Sequence, residues 1–328
     1  MKVAYVVTSE GKDVISTMAR ISIASIRISN PSATIVLIVD KNTIDCFKTK
    51  YDPIIGEVDN IIVCDTPVGN NIFKSRYIRT SITDYISDDF LLLDADTFVR
   101  GSLELIFLID SDIACAVNHS KYNYKDQLWD LNDKIINEMS WKISDSFYIN
   151  PGVLYFNATK EARILCETWH RKWLDGYRTT GMHYDQPAFN ASIQETNPKL
   201  SILPHKYNAQ FRTELSVATD AVILHYYASG DNKPLTAFEA LVQRILEEDN
   251  LNMLEIKKMV ARCHPWRRDI WLDDFIAMRV MKKSKMDDWE KTWLEGRRMD
   301  ALKQRYQILC SPEMNIIAKI KKLMGFSE

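Results

Sequence analysis

Ten residues in the first third of the chain, FLLLDADTFV at 90–99, combine a buried-strand pattern with two acidic residues. The apolar run predicts a strand covered on both faces, and it leads directly into Asp94. Side chains at positions i and i+2 of a strand point the same way, so the carboxylates of Asp94 and Asp96 can converge. Two such carboxylates are costly to keep ionised without a cation between them. The segment therefore predicts a divalent-metal site, unless Asp96 only caps a helix that follows.

Strand and helix patterns alternate around this segment. Short apolar runs predict strands, and stretches with apolar residues along one side predict helices. This alternation predicts an α/β fold with a parallel sheet and right-handed crossovers, whose ligands bind at the carboxyl ends of the strands. The predicted strands are 3–7, 34–40, 60–65, 90–96, 111–117, 148–157, 200–204 and 221–227, and the predicted helices in the same part of the chain are 13–28, 74–86 and 159–174.

The composition is that of an ordinary globular protein. Its 328 residues are 46% hydrophobic and 26% charged, which is enough for a full core in one large or two modest domains. Six scattered cysteines form no CxxC or CxxH pair, and no apolar run is long enough for a signal peptide or a membrane span. We therefore expect reduced thiols and a cytoplasmic location, or one at a membrane surface that faces the cytoplasm. The absence of GxGxxG and GxxxxGK[ST] motifs argues against dinucleotide and P-loop binding.

The last quarter of the chain differs from the rest in charge and in pattern. Residues 256–328 hold 17 Lys and Arg against 10 Asp and Glu, whereas the remainder is acidic. We predict a first domain over 1–240 and a basic, helical extension over 241–328. Within the extension, MNIIAKIKKLMGF (314–326) predicts a helix that lies on an anionic membrane or packs on the core. The predicted helices of this part are 236–248, 251–263, 272–284, 287–308 and 314–324.

Four further segments, read together with the D-x-D strand, resemble a known family. They are INPGVLYFN (149–157), DQPAFN (185–190), LPHKYN (203–208) and LHYYASGDNKP (224–234). In this order along the chain they are similar to the motifs of glycosyltransferase family 8, the family of glycogenin and of lipopolysaccharide galactosyl- and glucosyltransferases. The resemblance spans roughly residues 1–240. It implies a GT-A fold, a Rossmann-like, mixed and mostly parallel sheet flanked by helices, with a helical C-terminal extension.

The resemblance implies a metal site and a diphosphate site. Asp94, Asp96 and His225 match the ligands of a manganese ion, with Mg²⁺ as the alternative; without the family, a lone His in this position is more often a core residue. Lys233 and Gly230 match the element that contacts the diphosphate, and an ordinary turn lysine is the competing interpretation. Here the loop between the histidine and the lysine is two residues longer than is usual in the family.

The resemblance also implies a binding site for a nucleotide-sugar donor. Asp185 and Gln186 match residues at the reacting sugar, although the same position before Pro187 also suits a helix N-cap. Further residues match positions that contact the donor in the family. By spacing, Arg76 is as good a candidate as Arg79 for one of these contacts, and either arginine could instead lie on a solvated helix face. The matching donor-contact residues are Thr8, Ser9, Arg79, Asp94, Asn150 and Gly152.

The resemblance implies a retaining glycosyltransferase that transfers a hexose from UDP-glucose or UDP-galactose, and front-face attack is favoured because the motifs single out no carboxylate nucleophile. The acceptor is a polysaccharide or other glycan, a glycolipid or a protein, and we expect no nucleic-acid partner. One alternative is a haloacid-dehalogenase-type phosphatase that uses Asp94 and Asp96, with Asp273 and Asp274 as its late acidic pair. Another is a nucleotide-sugar-binding protein without catalytic activity.

Overall fold

The computed structural model describes residues 1–118, 130–211, 215–218, 220–227 and 236–261. Several predicted features lie outside this part of the chain. They are Gly230, Lys233, the Asp273–Asp274 pair, the helices predicted beyond 263 and the segment 314–326.

Seven strands form one central sheet in the order β3-β2-β1-β4-β7-β6-β8. β7 is antiparallel to both of its neighbours, and the other pairs in the sheet are parallel. A separate two-stranded sheet pairs β5 with β9. The strands are β1 (Lys2–Val6), β2 (Thr34–Asp40), β3 (Asn60–Cys64), β4 (Phe90–Leu93), β5 (Thr97–Val99), β6 (Ile113–Val117), β7 (Ile149–Phe156), β8 (Leu200–Ile202) and β9 (Ile223–His225).

Nine α-helices of the described residues flank the sheet. They are α1 (Val14–Ser29), α2 (Lys41–Thr49), α3 (Ile54–Glu57), α4 (Asn71–Thr80), α5 (Asp130–Glu138), α6 (Lys160–Thr180), α7 (Gln186–Thr196), α8 (Ala237–Glu248) and α9 (Met253–Ala261). Side-chain caps set several of their first residues: Asp13 begins α1 with a capping box, and Asn70 accepts from Phe73 N at the start of α4. None of the helices among these residues is both long enough and apolar enough to cross a lipid bilayer.

Strand β4, which leads into Asp94, lies at the middle of the sheet. All four residues of β4 are buried, and the strand pairs with β1 on one side and β7 on the other. The prediction of a single strand over 90–96 was too long, because the backbone turns at Asp94 and resumes as β5 in the second sheet. A hydrogen bond from Thr97 N to Asp94 O closes this turn.

Hydroxyl groups of α1 replace strand partners along β5. Ser25 Oγ accepts from Val99 N at 2.9 Å, and Ser22 Oγ lies 3.1 Å from Thr97 Oγ1. Thr97 Oγ1 in turn donates to the carbonyl of Asp94, which can only accept. The serines of this buried helix face therefore fix the turn that carries both acidic residues.

Helices α8 and α9 pack against α1. Phe238, Leu241, Ile245 and Ile256 share one hydrophobic cluster with Met18 of that helix and with residues next to the second sheet. The predicted domain boundary after residue 240 falls within α8. The described residues beyond 240 thus pack on the first domain, and the division into two domains stays a prediction.

Several other elements differ from the pattern-based expectation, among them one helix boundary and one helix that was not predicted. The helix predicted over 74–86 begins earlier, at Asn71, and ends at Thr80, after which Ile82–Asp84 forms a 3₁₀ turn. The pattern did not predict α2, which begins directly after β2 because the Asp40 side chain caps it. Asp40 also pairs with Lys74 at 2.7 Å.

We expect the Asp40 pair to stabilise the protein only above acidic pH. Burial acts to raise the pKa of Asp40, but Lys74 and the hydrogen bonds from Thr43 outweigh it and leave the pKa below its ordinary value of 3.8. A carboxyl with a depressed pKa contributes stability above its unfolded-state pKa and loses it as the pH falls further. In urea unfolding, Asp40→Asn should be less stable than wild type near about pH 7, and the difference should shrink towards about pH 3.5.

Asp45 supplies a matched control for this measurement. It lies on the same helix and is exposed, so Asp45→Asn should leave the free energy of unfolding close to that of wild type at both pH values. An Asp40→Asn deficit that stays constant with pH would contradict the assigned role of the charge.

Candidate active site

The direction of β7 brings its first residues to the acidic turn. The parallel strands end at one edge of the sheet, and because β7 runs the other way it begins at that edge. Val153 pairs with Leu93, and Asp94 N donates to Gly152 O at 2.9 Å. The predicted donor-contact residues Asn150 and Gly152 therefore lie beside Asp94.

The second sheet brings His225 to the same place. In its antiparallel register Thr97 is opposite His225, and Tyr226 N donates to Asp96 O at 2.8 Å. One ligand atom from each of Asp94, Asp96 and His225 lies within 4.8 Å of the others. His225 Nε2 is 3.3 Å from Asp96 Oδ1 and 3.9 Å from Asp94 Oδ2.

This group of side chains fits a divalent cation. Asp96 Oδ1 is covered from solvent and makes no hydrogen bond among the described residues, although His225 Nε2 lies 3.3 Å away; an ion bound between the two atoms would satisfy both. Two carboxylates and a neutral imidazole are ligands that suit Mn²⁺. Asp94, Asp96 and His225 are the residues that could hold it.

Gly152 leaves the space that this group occupies. A Cβ atom at this position would lie 2.3 Å from His225 Cε1 and 3.0 Å from Asp94 Oδ2, closer than packed atoms approach. Any other residue would therefore push away the His225 ring or the neighbouring side-chain oxygens, so this position favours glycine.

The electrostatics of the group depend on its mutual charges. Burial raises the pKa of Asp94, and repulsion from Asp96 adds to this while Arg79 acts against it. For Asp96, burial acts to raise the pKa, but His225 outweighs it and the pKa is lowered. Burial also acts to lower the pKa of His225, yet the carboxylates of Asp96 and Asp94 leave it raised. The group thus attracts a positive charge to the position between its three side chains.

Arg79 connects the metal-type group to the predicted sugar-binding residue. Its side chain is 4% exposed, and its guanidinium contacts Asp94, the carbonyl of Pro151 and Asp185, the last at 3.2 Å. Arg76 pairs with the other oxygen of Asp185 at 3.3 Å and is 34% exposed. By sequence spacing, Arg76 and Arg79 were equal candidates for the donor contact. In the structure, Arg79 is the buried cation between Asp94 and Asp185, and Arg76 is the more accessible one.

Asp185 and Gln186 lie at the start of α7, as predicted. The Asp185 side chain makes no cap hydrogen bond and instead receives the two arginines. Trp169 Nε1 donates to Asp185 O at 3.0 Å and holds the backbone before the helix. Gln186 Nε2 donates to Ile149 O at 2.8 Å, and its Oε1 is 3.5 Å from Asn132 Nδ2. The carbonyl oxygen of Gln186 is thereby held in one orientation.

Thr8 and Ser9 lie at the carboxyl end of β1, but both hydroxyls face the protein. Thr8 Oγ1 donates to Asn71 O at 2.7 Å, and Ser9 Oγ accepts from Gly11 N at 2.9 Å. Both residues are buried. Their side chains therefore organise the loop after β1 in this structure.

Asn150 belongs to a network of amide side chains. Its Oδ1 accepts from Gly152 N and from Asn208 Nδ2, and its Nδ2 donates to Asn118 and Gln210. Asn208, from the LPHKYN segment, also contacts His225 at 2.8 Å. Neither Asn208 nor Asn132 was singled out as a site residue from the sequence; the position of Asn208 at the end of a family-like motif was the available signal.

The family of the chain follows from comparison with known proteins. The sequence model of glycosyl transferase family 8 matches residues 17–236, which is more than half of the chain. The protein belongs to glycosyltransferase family 8 and is a glycosyltransferase of this family, as the motifs predicted. A search of curated protein sequences found no match.

The structure was also compared with solved structures. The galactosyltransferase LgtC, in complex with donor and acceptor sugar analogues, is 17% identical with a TM-score of 0.51; the match covers 80% of this chain and 97% of that chain. GlyE of Streptococcus pneumoniae is 18% identical over 79% of this chain and 64% of its own, with a TM-score of 0.49. Mouse xyloside xylosyltransferase 1 is 14% identical over 71% of this chain and 100% of its own, at 0.46. The likeness to LgtC confirms the GT-A-type fold. The phosphatase alternative is not favoured, because the family match accounts for the same acidic pair.

Gly152→Ala tests the space at the ligands. The added Cβ must displace His225 or Asp94, so we expect Mn²⁺ affinity to fall by roughly tenfold or more, measured by the electron paramagnetic resonance signal of free Mn²⁺. Gly56→Ala is the control, because nothing lies within 4 Å of a Cβ there. Equal Mn²⁺ affinities for both variants and wild type would show that Gly152 is not needed by the site.

Arg79→Met tests the buried charge balance. Removal of the guanidinium leaves Asp94 and Asp185 without their shared cation, which should cost about 3 kcal/mol or more in the free energy of unfolding. Arg171→Met removes an exposed pair with Glu195 and should cost less than about 1 kcal/mol. Chemical denaturation of both variants measures the difference, and similar losses would contradict the role of Arg79.

Proposed function

We propose that the protein is a metal-dependent, retaining hexosyltransferase that uses UDP-glucose or UDP-galactose as donor. The observation that carries the proposal is the convergence of Asp94, Asp96 and His225 beside Arg79, in a chain that belongs to glycosyltransferase family 8. A glycosyltransferase of this kind must stabilise a nucleoside diphosphate as it leaves the sugar.

The acidic group and its histidine would hold the divalent cation. When bound, Mn²⁺ or Mg²⁺ supplies Lewis-acid stabilisation of the diphosphate leaving group. The pairing of β5 with β9 brings the backbones of Asp96 and His225 next to each other, which supports their proposed role as ligands. Lys233 and Gly230 are proposed to contact the diphosphate, on sequence grounds alone.

The opposite side of the site would bind the sugar. Asp185 is oriented by Arg76 and Arg79, and a carboxylate held in this way suits bidentate hydrogen bonds to sugar hydroxyls. The oriented carbonyl oxygen of Gln186 is proposed to face the reacting carbon on the acceptor side. Asn150 and Gly152 would line the same pocket, with Thr8 and Ser9 at the nucleoside edge.

Retention is proposed from the family. No carboxylate nucleophile is singled out by the motifs, so we favour front-face attack, in which the leaving phosphate takes the acceptor proton. The acceptor is proposed to be a polysaccharide or other glycan, a glycolipid or a protein. A cytoplasmic location with peripheral membrane contact through 314–326, and a functional division at residue 240, also remain proposals based on sequence.

Titration of UDP tests the metal site directly. In isothermal titration calorimetry, wild type should bind UDP roughly tenfold or more tightly with Mn²⁺ than without it, because a cation held by Asp94, Asp96 and His225 would offset the charge of the diphosphate. Asp96→Ala should lose this gain. Asp110→Ala, which removes an exposed carboxylate outside the site, should retain it.

Two further measurements bound the proposal. UDP binding that is indifferent both to Mn²⁺ and to Asp96→Ala would remove the metal site. Slow hydrolysis of UDP-glucose or UDP-galactose by the purified protein would exclude the non-catalytic alternative, and the anomeric configuration of the released product, observed early by NMR, would test retention.

A further inference from the structure

A chain of amide side chains runs from the backbone of β7 to His225. We call it the amide relay and define it as Asn150 and Asn208. Asn208 is 1% exposed and His225 is 3% exposed, so the hydrogen bonds of the relay are shielded from water. Unsatisfied amide groups would be costly in this setting, and the orientation of each amide is therefore determined by its neighbours.

The orientation of Asn150 is set from two sides. The N–H of Gly152 can only donate, so the atom of Asn150 that it contacts at 2.9 Å is the oxygen. On the other side, the carbonyl of Val117 can only accept, so Gln210 presents its Nε2 to it and its Oε1 to Asn150 Nδ2. The backbone N–H of Gly152 and the backbone carbonyl of Val117 thus both require the same orientation of the Asn150 amide.

The orientation passes through Asn208 to the histidine. Asn150 Oδ1 accepts from Asn208 Nδ2 at 3.2 Å, which leaves Asn208 Oδ1 facing His225 Nδ1 at 2.8 Å. An amide oxygen has no proton to give, so Nδ1 of His225 carries the proton of this bond. If Asn208 were rotated by half a turn, its oxygen would face the oxygen of Asn150, and this contact between two acceptors would have no donor.

We infer that Asn208 is a positioning residue that fixes His225 with its Nδ1–H bonded to the relay and its Nε2 directed at Asp94 and Asp96. A ligating histidine works best when its second nitrogen donates to a fixed acceptor, because ring orientation and tautomer are then set before the cation binds. The inference rests on the proposed metal site for its functional meaning. The hydrogen bond itself does not depend on that site.

The first test examines wild-type protein without metal. With ¹⁵N-labelled histidine, NMR should show a slowly exchanging Nδ1–H proton for His225, assigned by its loss in His225→Gln. Asn208→Leu, which is nearly isosteric and has no acceptor, should lose the slow exchange. Asn208→Asp keeps an acceptor for Nδ1–H and should restore the signal.

The second test measures Mn²⁺ binding by the free-ion resonance signal. Asn208→Leu should weaken binding by roughly ten- to a hundredfold, and Asn208→Asp should recover most of that loss. Asn30→Leu is the matched control. It removes an equally buried asparagine, whose amide bonds Gly101 O and Leu103 N, and should leave Mn²⁺ affinity unchanged.

The outcomes separate the relay from the proposed function. A His225 ring without a proton on Nδ1, or Mn²⁺ affinity that is equal in wild type and Asn208→Leu, would overturn the inference. If the Nδ1–H signal depends on Asn208 while wild type itself does not bind Mn²⁺, the relay stands and the metal-dependent function falls. Should Asn208→Leu fail to fold, the wild-type spectrum alone still decides the position of the proton.

Discussion

The balance of charge between three carboxylates and the cations that contact them, at one edge of the sheet, is the constraint on which the site depends. Asp94, Asp96 and Asp185 come together where water is largely excluded, and their charges must be balanced there. Arg79 supplies part of the balance by contacting Asp94 and Asp185 at once. Asp94, Asp96 and His225 attract positive charge to the space between them, and a divalent cation fits there. The same excess of negative charge makes this edge costly to build and suited to a divalent cation.

The direction of the strands decides which residues lie next to these carboxylates. Because β7 is antiparallel to β4, its first residues lie beside the last residues of the parallel strands, and Gly152 lets the backbone pass next to the ligands. The small sheet of β5 and β9 adds His225 from a distant part of the chain, and serines of α1 bond the free side of β5. The geometry of the site is therefore a property of two sheets and one helix acting together.

Networks of buried polar side chains next to the site fix the orientation of its side chains. A buried amide has one arrangement that satisfies all of its partners, and the relay through Asn150 and Asn208 carries such an arrangement to His225. Asn132 and Ile149 hold Gln186 in a comparable way. These contacts give the side chains of His225 and Gln186 a defined direction, as a preorganised site requires.

The sequence by itself determined the α/β class, a central strand that begins at residue 90, the acidic pair and the family, because apolar periodicity and short motifs are local properties of a chain. It placed His225, Asp185 and Gln186 only by resemblance. The tertiary structure alone decided that β4 ends at the acidic turn. It also decided that Arg79 is a buried cation while Arg76 stays accessible, and that the Thr8 and Ser9 hydroxyls face inward. It also revealed the contact of Asn208 with His225. These facts depend on which distant side chains share one small volume, and only the packing of strands and helices sets that.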